Sequence, residues 1–142
     1  VVDDFNSIYK LKRGINISYK NDGKNKYLIY GIENRIEQII ANLLDNAISF
    51  SDDNKDVIVQ VSKSEDNKVY IKILDEGQGF KEKDTNKIFK RFYSNRPDKF
   101  GQHSGLGLNI VKNLVDLHNA TIKATNREDK KGASMEIEFP KV

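Results

Sequence analysis

Hydrophobic residues recur at three- and four-residue steps between residues 33 and 50, which predicts an amphipathic helix. The apolar positions of this stretch are Ile36, Ile40, Leu43, Leu44 and Ala47. The polar residues 51–54 that follow are typical of a helix end. We therefore expect one central helix over 33–50.

Alternating apolar and polar residues predict strands on both sides of this helix. Strands are expected at 15–20, 26–30, 57–61, 69–73, 121–126 and 134–139. Further helices are predicted at 1–12, before Gly14, at 106–118 and, as a short turn, around 88–93. This order favours an α+β fold, a two-layer α/β sandwich in which a mixed, mostly antiparallel sheet packs on about three helices.

Residues 80–104 form an irregular stretch that is too long for a passive connection and is typical of a lid. Seven basic and three acidic residues lie between residues 81 and 100. Such a segment can close over a polyphosphate, although a solvated lysine-rich surface has the same composition. The aromatic residues Phe89, Phe92 and Tyr93 are expected to attach this stretch to the core.

The composition adds mainly exclusions. With 142 residues and 37% hydrophobic content, the chain fits a single domain. A net charge of +3 is too small to predict nucleic-acid binding, and no cysteine is present for a disulfide or a thiolate metal site. No apolar run is long enough to span a membrane. Because the chain opens at Val1 in what reads as the middle of a helix, we interpret it as a fragment of a longer protein.

Polar residues form a second stripe along the central helix. It consists of Gln38, Asn42, Asp45, Asn46 and Ser49, and the two asparagines, four residues apart, point the same way. Their amide oxygens suit Mg²⁺, which takes few protein ligands and lets substrate phosphates complete its shell. The chain contains fifteen asparagines, so the pair alone is equally compatible with an ordinary polar face.

Two glycine-containing motifs flank the irregular stretch. Asp75-x-Gly77-x-Gly79 follows a predicted strand, and residues 104–108, which read Ser-Gly-Leu-Gly-Leu, open a predicted helix. Glycine at a helix entrance lets backbone N–H groups approach an anion, and a carboxylate can accept a hydrogen bond from an exocyclic amine such as that of adenine. Each motif taken alone also fits a turn without a ligand. Neither is a Walker A sequence or G-x-G-x-x-G.

Four motifs stand in one order along the chain: the two asparagines of 42–47, the Asp-x-Gly-x-Gly of 75–79, the aromatic segment 88–93 and the glycine motif 104–108. Together they resemble the boxes of the catalytic ATP-binding domain of bacterial sensor histidine kinases. That domain belongs to the superfamily of the gyrase, Hsp90 and MutL ATPase domains. The resemblance covers essentially the whole chain, and the ordered set is far more specific than any single motif.

The resemblance implies ATP and Mg²⁺ as cofactors and gives each motif a role. Asn46 is expected to coordinate Mg²⁺, Asn42 to face the phosphates as a second catalytic residue, and Asp75 to bind the adenine amine. The remaining nucleotide contacts are expected from Gly77, Gly79, Tyr93, Ser104, Gly105, Leu106, Gly107 and Leu108.

Two positions depart from the kinase pattern. Ser49 and Ser94 stand where many relatives carry a basic residue. The lid residues Arg91, Arg96 and Lys99 could supply the missing positive charge. We therefore expect nucleotide affinity to be weaker than usual, not absent.

The type of reaction follows from Asn42 and from the histidines. The superfamily's ATPases carry a catalytic glutamate at the position of Asn42, which cannot act as a base, so transfer of the phosphoryl group is favoured over hydrolysis. His103 and His118 both lack the context of a phosphoacceptor. The chain is thus expected to be a protein-histidine kinase fragment whose acceptor histidine lies on a dimeric helical hairpin upstream in the parent protein.

The expected boundaries are a lead-in helix over 1–12 and a catalytic domain over 13–142, with the lid at about 80–104. Expected partners are the upstream dimerisation domain and, through it, a response regulator; the isolated fragment is expected to be a monomer that binds no nucleic acid. The resemblance implies a cytoplasmic domain, with the inner membrane as a candidate anchor for the parent protein. Two alternatives stay open: a regulatory nucleotide-binding module with decayed catalysis, and an ATPase or anti-sigma-type serine kinase of the same superfamily.

Overall fold

A computed structural model of the protein describes residues 2–24, 26–80, 88–89 and 106–142. Within these ranges the chain forms three helices and five strands. In chain order they are α1 (Val2–Arg13), β1 (Asn16–Asn21), α2 (Glu33–Phe50), β2 (Asp56–Lys63), β3 (Val69–Leu74), α3 (Leu106–Leu117), β4 (Thr121–Asn126) and β5 (Ala133–Phe139).

The five strands form one mixed sheet in the order β1-β2-β3-β5-β4. β1 and β2 are parallel because the chain crosses over through α2 between them, whereas the other neighbours are antiparallel. This arrangement confirms the predicted α+β class with a mostly antiparallel sheet. None of the described helices combines the length and hydropathy that crossing a bilayer requires.

The core lies between one face of the sheet and the helices α2 and α3. The strands contribute alternating buried residues, such as Val57, Val59 and Ile137, while Leu43 and Val111 contribute from the helices. The opposite face of the sheet is polar, with Gln60, Lys72 and Glu136 side by side in register on β2, β3 and β5. The period-2 pattern in the sequence therefore separates a buried face from a polar one.

Helix α1 packs against the first strand. The rings of Phe5 and Tyr9 stack with centroids 6.0 Å apart and pack on the core, and the side-chain oxygen of Asn6 accepts a hydrogen bond from the backbone N–H of Ile17 at 2.9 Å. Gly14 ends the helix with a φ of +68°, and a Cβ at this position would lie 2.1 Å from the Asn54 side-chain oxygen. The predicted helix end at Gly14 is confirmed.

The strand predicted at 26–30 is wrong. Tyr27 and Ile29 are half-buried against the core, whereas Leu28 and Tyr30 are exposed, so the alternation in the sequence is real. However, this segment belongs to none of the strands of the sheet, where β1 pairs directly with β2. The alternation thus reflects packing of an irregular segment on the core and not pairing with another strand.

Candidate functional site

The polar stripe of α2 runs along the edge of its buried face. Asn42, Asn46 and Ser49 are half-buried, while Asp45 is exposed. The Nδ2 atom of Asn46 is buried without a hydrogen-bond partner. Among the described residues, no other buried side-chain nitrogen or oxygen atom lacks a partner. An unsatisfied buried amide is costly and uncommon in folded proteins, so it marks a position where a ligand could bind.

Asp75 lies directly after β3 and is only 3% exposed. Its Oδ1 atom accepts hydrogen bonds from the backbone N–H groups of Gly77 and Ala133, both at 3.0 Å. Its own backbone N–H donates to the carbonyl oxygen of Ala133, also at 3.0 Å. The carboxylate is therefore held in a defined orientation at the end of the strand, because the main chain on two sides anchors it.

The end of α2 meets the end of β3 through Ser51. This residue is fully buried, forms an isolated antiparallel bridge with Gly77, and its Oγ accepts a hydrogen bond from the backbone N–H of Glu76 at 3.4 Å. The same contact brings the helix that carries Asn46 beside the loop that starts at Asp75. Two motifs that are about thirty residues apart in the sequence thus converge at one end of the sheet.

Arg13, the last residue of α1, holds this helix end in place. Its guanidinium donates to the backbone carbonyl oxygens of Ile48 and Ser51, the latter at 2.6 Å, and forms an ion pair with Asp53 at 2.8 Å. A cation at the C-terminus of a helix satisfies unpaired carbonyls and complements the helix dipole. The sequence pattern does not predict this contact, because it joins residues that are 35 or more positions apart.

Only glycine fits at position 79. It has a φ of +77°, and a Cβ there would lie 2.5 Å from the side-chain oxygen of Asn126. Asn126, the last residue of β4, accepts from the backbone N–H of Phe80 at 2.6 Å and donates to the Phe80 carbonyl oxygen at 3.1 Å. The loop after Asp75 is therefore clamped from the β4–β5 turn, a support that the sequence analysis did not identify.

Glu76 ties the same loop to the start of β2. Its carboxylate accepts a hydrogen bond from the backbone N–H of Asp56 at 2.8 Å and lies 3.4 Å from the ammonium group of Lys130. The bond from Asp56, with the nearby Lys130 charge in support, lowers the pKa of Glu76 below its usual value. Glu76 thus stays ionised and structural, which leaves Asp75 as the carboxylate with a candidate ligand role in this motif.

The phosphate-side motif is described only in part. α3 begins at Leu106 as predicted. Gly107 is exposed, and none of the described residues comes within 4 Å of the place where a Cβ would stand, while the side chain of Leu108 packs against the core. Asn109 donates from its side chain to the carbonyl oxygen of Phe89 at 3.2 Å. Ile88 and Phe89 are buried, which confirms for Phe89 that the aromatic segment attaches to the core.

Several predicted site residues lie outside the described residues. These are Tyr93, Ser104 and Gly105, together with Ser94, His103, Phe92 and the lid cations Arg91, Arg96 and Lys99. For Leu106 the structure describes the backbone only.

His118 packs in the interior and connects two helix ends. It is 8% exposed; its Nε2 accepts a hydrogen bond from the backbone N–H of Ile32 at 3.1 Å, and its Nδ1 donates to the Leu114 carbonyl oxygen at 2.7 Å. Because the N–H of Ile32 can only donate, the ring carries its proton on Nδ1. His118 therefore joins the end of α3 to the start of α2.

The fold and these contacts define an α+β domain in which a buried carboxylate and an unpaired amide converge at one end of a mixed sheet. Residues 31–142 match the model of the family described as histidine kinase-, DNA gyrase B- and HSP90-like ATPases, and the chain belongs to this family. The predicted family and its nucleotide, ATP, are thereby confirmed.

Similar proteins narrow this to the histidine kinase type. The chain is 35% identical over 139 residues to the sensor protein ChvG of Agrobacterium fabrum, covering 93% of this chain and 23% of that protein. The nucleotide-free catalytic domain of the histidine kinase ThkA superposes with a TM-score of 0.81 at 25% identity, over 99% of this chain and 88% of that one. ThkA in complex with the response regulator protein TrrA gives a TM-score of 0.79 at 22% identity, over 99% and 38% of the two chains.

The chain is thus an ATP-binding catalytic domain of the histidine kinase type. It spans less than a quarter of the length of ChvG.

Proposed function

We propose that this domain transfers the γ-phosphoryl group of ATP to a histidine on a separate helical dimerisation domain of its parent protein. The observation that best supports this proposal is the buried, unpaired amide of Asn46 in a fold of the histidine kinase type. A fold that leaves this amide without a partner is suited to a ligand that supplies one.

Asp75 is proposed to recognise the base. A carboxylate accepts hydrogen bonds, so it suits the exocyclic amine of adenine and disfavours a carbonyl at the same position. The bonds from Gly77 and Ala133 fix its orientation before the nucleotide arrives. Gly77 and Gly79 are proposed to contact the base through their backbone, and the left-handed φ of Gly79 together with its packing against Asn126 sets the course of the chain there.

Asn46 and Asn42 are proposed to serve the phosphates. Turning the side-chain amide of Asn46 presents either its oxygen to Mg²⁺ or its N–H to a phosphate, and an amide oxygen is a ligand that this hard cation accepts. Bound Mg²⁺ would neutralise the charge of the phosphate oxygens during transfer. Asn42 occupies the place of a catalytic base without being able to accept a proton from water, so the domain favours transfer over hydrolysis.

The remaining contacts are proposed from the glycine motif and the lid. They comprise Tyr93, Ser104, Gly105, Leu106, Gly107 and Leu108, with a lid over about 80–104 and a catalytic domain over 13–142 after the lead-in segment 1–12. The surroundings of Gly107 support a role of its backbone N–H toward an anion, because no side chain of the described residues lies within 4 Å of the place where a Cβ would stand.

The proposed partners follow from proteins that are similar to this chain. ThkA, which has this fold, assembles with a response regulator. We propose that the parent of this chain likewise acts on a response regulator, through its dimerisation domain and on the cytoplasmic side of the membrane.

A phosphotransfer assay tests the proposal. The domain is mixed with the helical hairpin of its parent protein, Mg²⁺ and γ-labelled ATP, and the label is followed on both proteins. We expect acid-labile, base-stable phosphate on the hairpin, negligible label on the isolated domain, and loss of transfer with Asn46→Ala. Acid-stable phosphate on a serine would instead favour a serine kinase, and nucleotide binding without any transfer would favour a regulatory module.

A further inference from the structure

We propose that Arg127, oriented by Asp129, is a positioning residue for adenine selectivity, because it fixes the peptide group that carries Asp75. This inference rests on the proposed function, in which Asp75 binds the adenine amine. Arg127 lies just after β4, in the turn to β5, and borders a groove on the polar face of the sheet.

All three nitrogen atoms of the Arg127 guanidinium donate hydrogen bonds. Its Nη1 donates to the carbonyl oxygen of Asp75 at 3.1 Å, while Nε and Nη2 donate to the two carboxylate oxygens of Asp129 at 3.0 and 2.8 Å. The Arg127 side chain is only 4% exposed, whereas that of Asp129 is 64% exposed. A bidentate pair of this kind fixes the plane of the guanidinium, so the bond to Asp75 has a defined direction.

The turn that carries Arg127 also contacts Asp75 through its backbone. The backbone N–H of Arg127 donates to the Gly132 carbonyl oxygen at 2.9 Å, which closes the turn. A Cβ on Gly132 would lie 2.0 Å from the carbonyl oxygen of Asp75, so only glycine permits this approach. Ala133, the next residue, exchanges two hydrogen bonds with Asp75. One short turn therefore holds the main chain and the carboxylate of Asp75 together.

Arginine is required for this arrangement because it donates in several directions at once. A lysine at the same position could reach either Asp75 or Asp129 but could not hold the fork geometry between them. The Arg127–Asp129 pair borders a groove of about 500 Å³ on the polar face of the sheet, which also contains Lys72 and Glu136. Substitutions in the pair thus act on Asp75 from behind, without touching Asn46 or α2.

The consequence concerns selectivity more than overall affinity. A small displacement of the Asp75 peptide moves the carboxylate relative to the amine of adenine, while the contacts to the phosphates on α2 stay in place. ITP carries a carbonyl in place of this amine, so it offers the Asp75 carboxylate no donor at that position and places an acceptor there instead. The ratio of ATP to ITP affinity therefore reports on the position of Asp75, and it does not change if a variant merely reduces the folded fraction.

The test measures dissociation constants for Mg²⁺–ATP and Mg²⁺–ITP by calorimetry. The proteins are the native chain, Asp75→Asn, Arg127→Met, Arg127→Lys and Asp129→Asn, with Arg35→Met on the exposed surface of α2 as the matched control. We expect the preference for ATP to fall about fivefold or more in Arg127→Met, because a charge-assisted hydrogen bond that orients Asp75 is lost. The preference for ATP should also fall in Arg127→Lys and Asp129→Asn, but by a smaller factor. In Arg35→Met it should equal that of the native chain.

The outcomes separate the two proposals. If Asp75→Asn abolishes the preference for ATP while the Arg127 and Asp129 variants keep it, the positioning role is wrong and the proposed function stands. If the native chain shows no preference for ATP over ITP, the role of Asp75 is wrong and the positioning role falls with it. Should Arg127→Met fail to fold, Arg127→Lys and Asp129→Asn supply the same comparison.

Discussion

At the scale of single residues, Asn46 and Asn126 show two opposite uses of the same side chain. Asn126 satisfies its amide by clamping both backbone groups of Phe80, whereas the Nδ2 atom of Asn46 is buried without a partner. A buried polar group left unsatisfied costs about 1–3 kcal/mol. A residue that lowers stability in this way is expected at a functional site, where a ligand restores the missing bond.

The two asparagines therefore respond differently to removal. We expect Asn126→Ala to lower the free energy of unfolding by about 1–3 kcal/mol, because both Phe80 backbone groups lose their partner. Asn46→Ala is expected to leave it unchanged or to raise it, because the variant loses no hydrogen bond of the Nδ2 atom and no longer carries the cost, about 1–3 kcal/mol, of burying that atom without a partner. Urea denaturation measures both, and an equal loss in the two variants would contradict the assignment of Asn46 as a ligand-binding residue.

At the scale of elements, side chains that bind backbone groups hold helix and strand ends in register around the site. Arg13 binds the last carbonyls of α2, Ser51 links α2 to the loop after β3, and Asp22 joins the end of β1 to the end of β2. Each contact places one element relative to another. The position of the functional groups thus depends on joints that lie outside the functional motifs.

The stabilisation that Arg13 gives to the end of α2 can be measured directly. We expect Arg13→Met to lower the free energy of unfolding by about 2 kcal/mol, because the carbonyls of Ile48 and Ser51 lose a charged donor at a helix C-terminus. The control is Arg35→Met on the exposed surface of α2, which should leave the free energy of unfolding almost unchanged. Equal stability of the two variants in urea would show that the cap is not needed.

The joint at Asp22 makes stability depend on pH. The hydroxyl of Tyr27 and the backbone N–H groups of Lys63 and Lys24 donate to its carboxylate, which lowers the pKa of Asp22 to about 2 from a usual value of 3.8. Because the pKa is lower in the folded state, the stabilisation is present above the usual value and is lost as the pH falls through about 2.

Thermal unfolding from pH 5 to pH 2 tests this joint. The native chain should lose melting temperature over the acid end of this range, and Asp22→Asn, which cannot titrate, should lose less. Asp129, whose pKa is also lowered to about 2 by Arg127, contributes to the decrease that remains in the variant. Parallel curves for the native chain and Asp22→Asn would assign the acid sensitivity to other groups.

At the scale of the whole molecule, the candidate site lies where three parts of one sheet-and-helix scaffold meet. α2 supplies the asparagines, the loop after β3 supplies Asp75, and the β4–β5 turn supports that loop. Helix and strand ends carry the recognition groups, and the predicted lid falls between β3 and α3 in the sequence. This division suits an enzyme that must hold a nucleotide firmly and still exchange it.

Periodicity explains how much of this could be predicted. α2 and β4 have the predicted limits, Glu33–Phe50 and Thr121–Asn126, because a buried face repeats regularly along each. The strand predicted at 26–30 was wrong, since alternation records burial and carries no information on pairing. Arg13, Asn126 and Arg127 were not foreseen, because bonds from a side chain to a distant backbone leave no pattern in the sequence.

Binding of Mg²⁺–ATP to the native chain and to Asp75→Asn tests the role of Asp75 in adenine recognition most directly. Asparagine keeps an oxygen for the N–H groups of Gly77 and Ala133 but replaces the other acceptor with a donor, so the fold is expected to persist, which a thermal melt verifies. Calorimetry should show binding to the native chain and an affinity at least about tenfold weaker in the variant. Equal affinities in two folded proteins would contradict the assignment of Asp75 as the residue that recognises adenine.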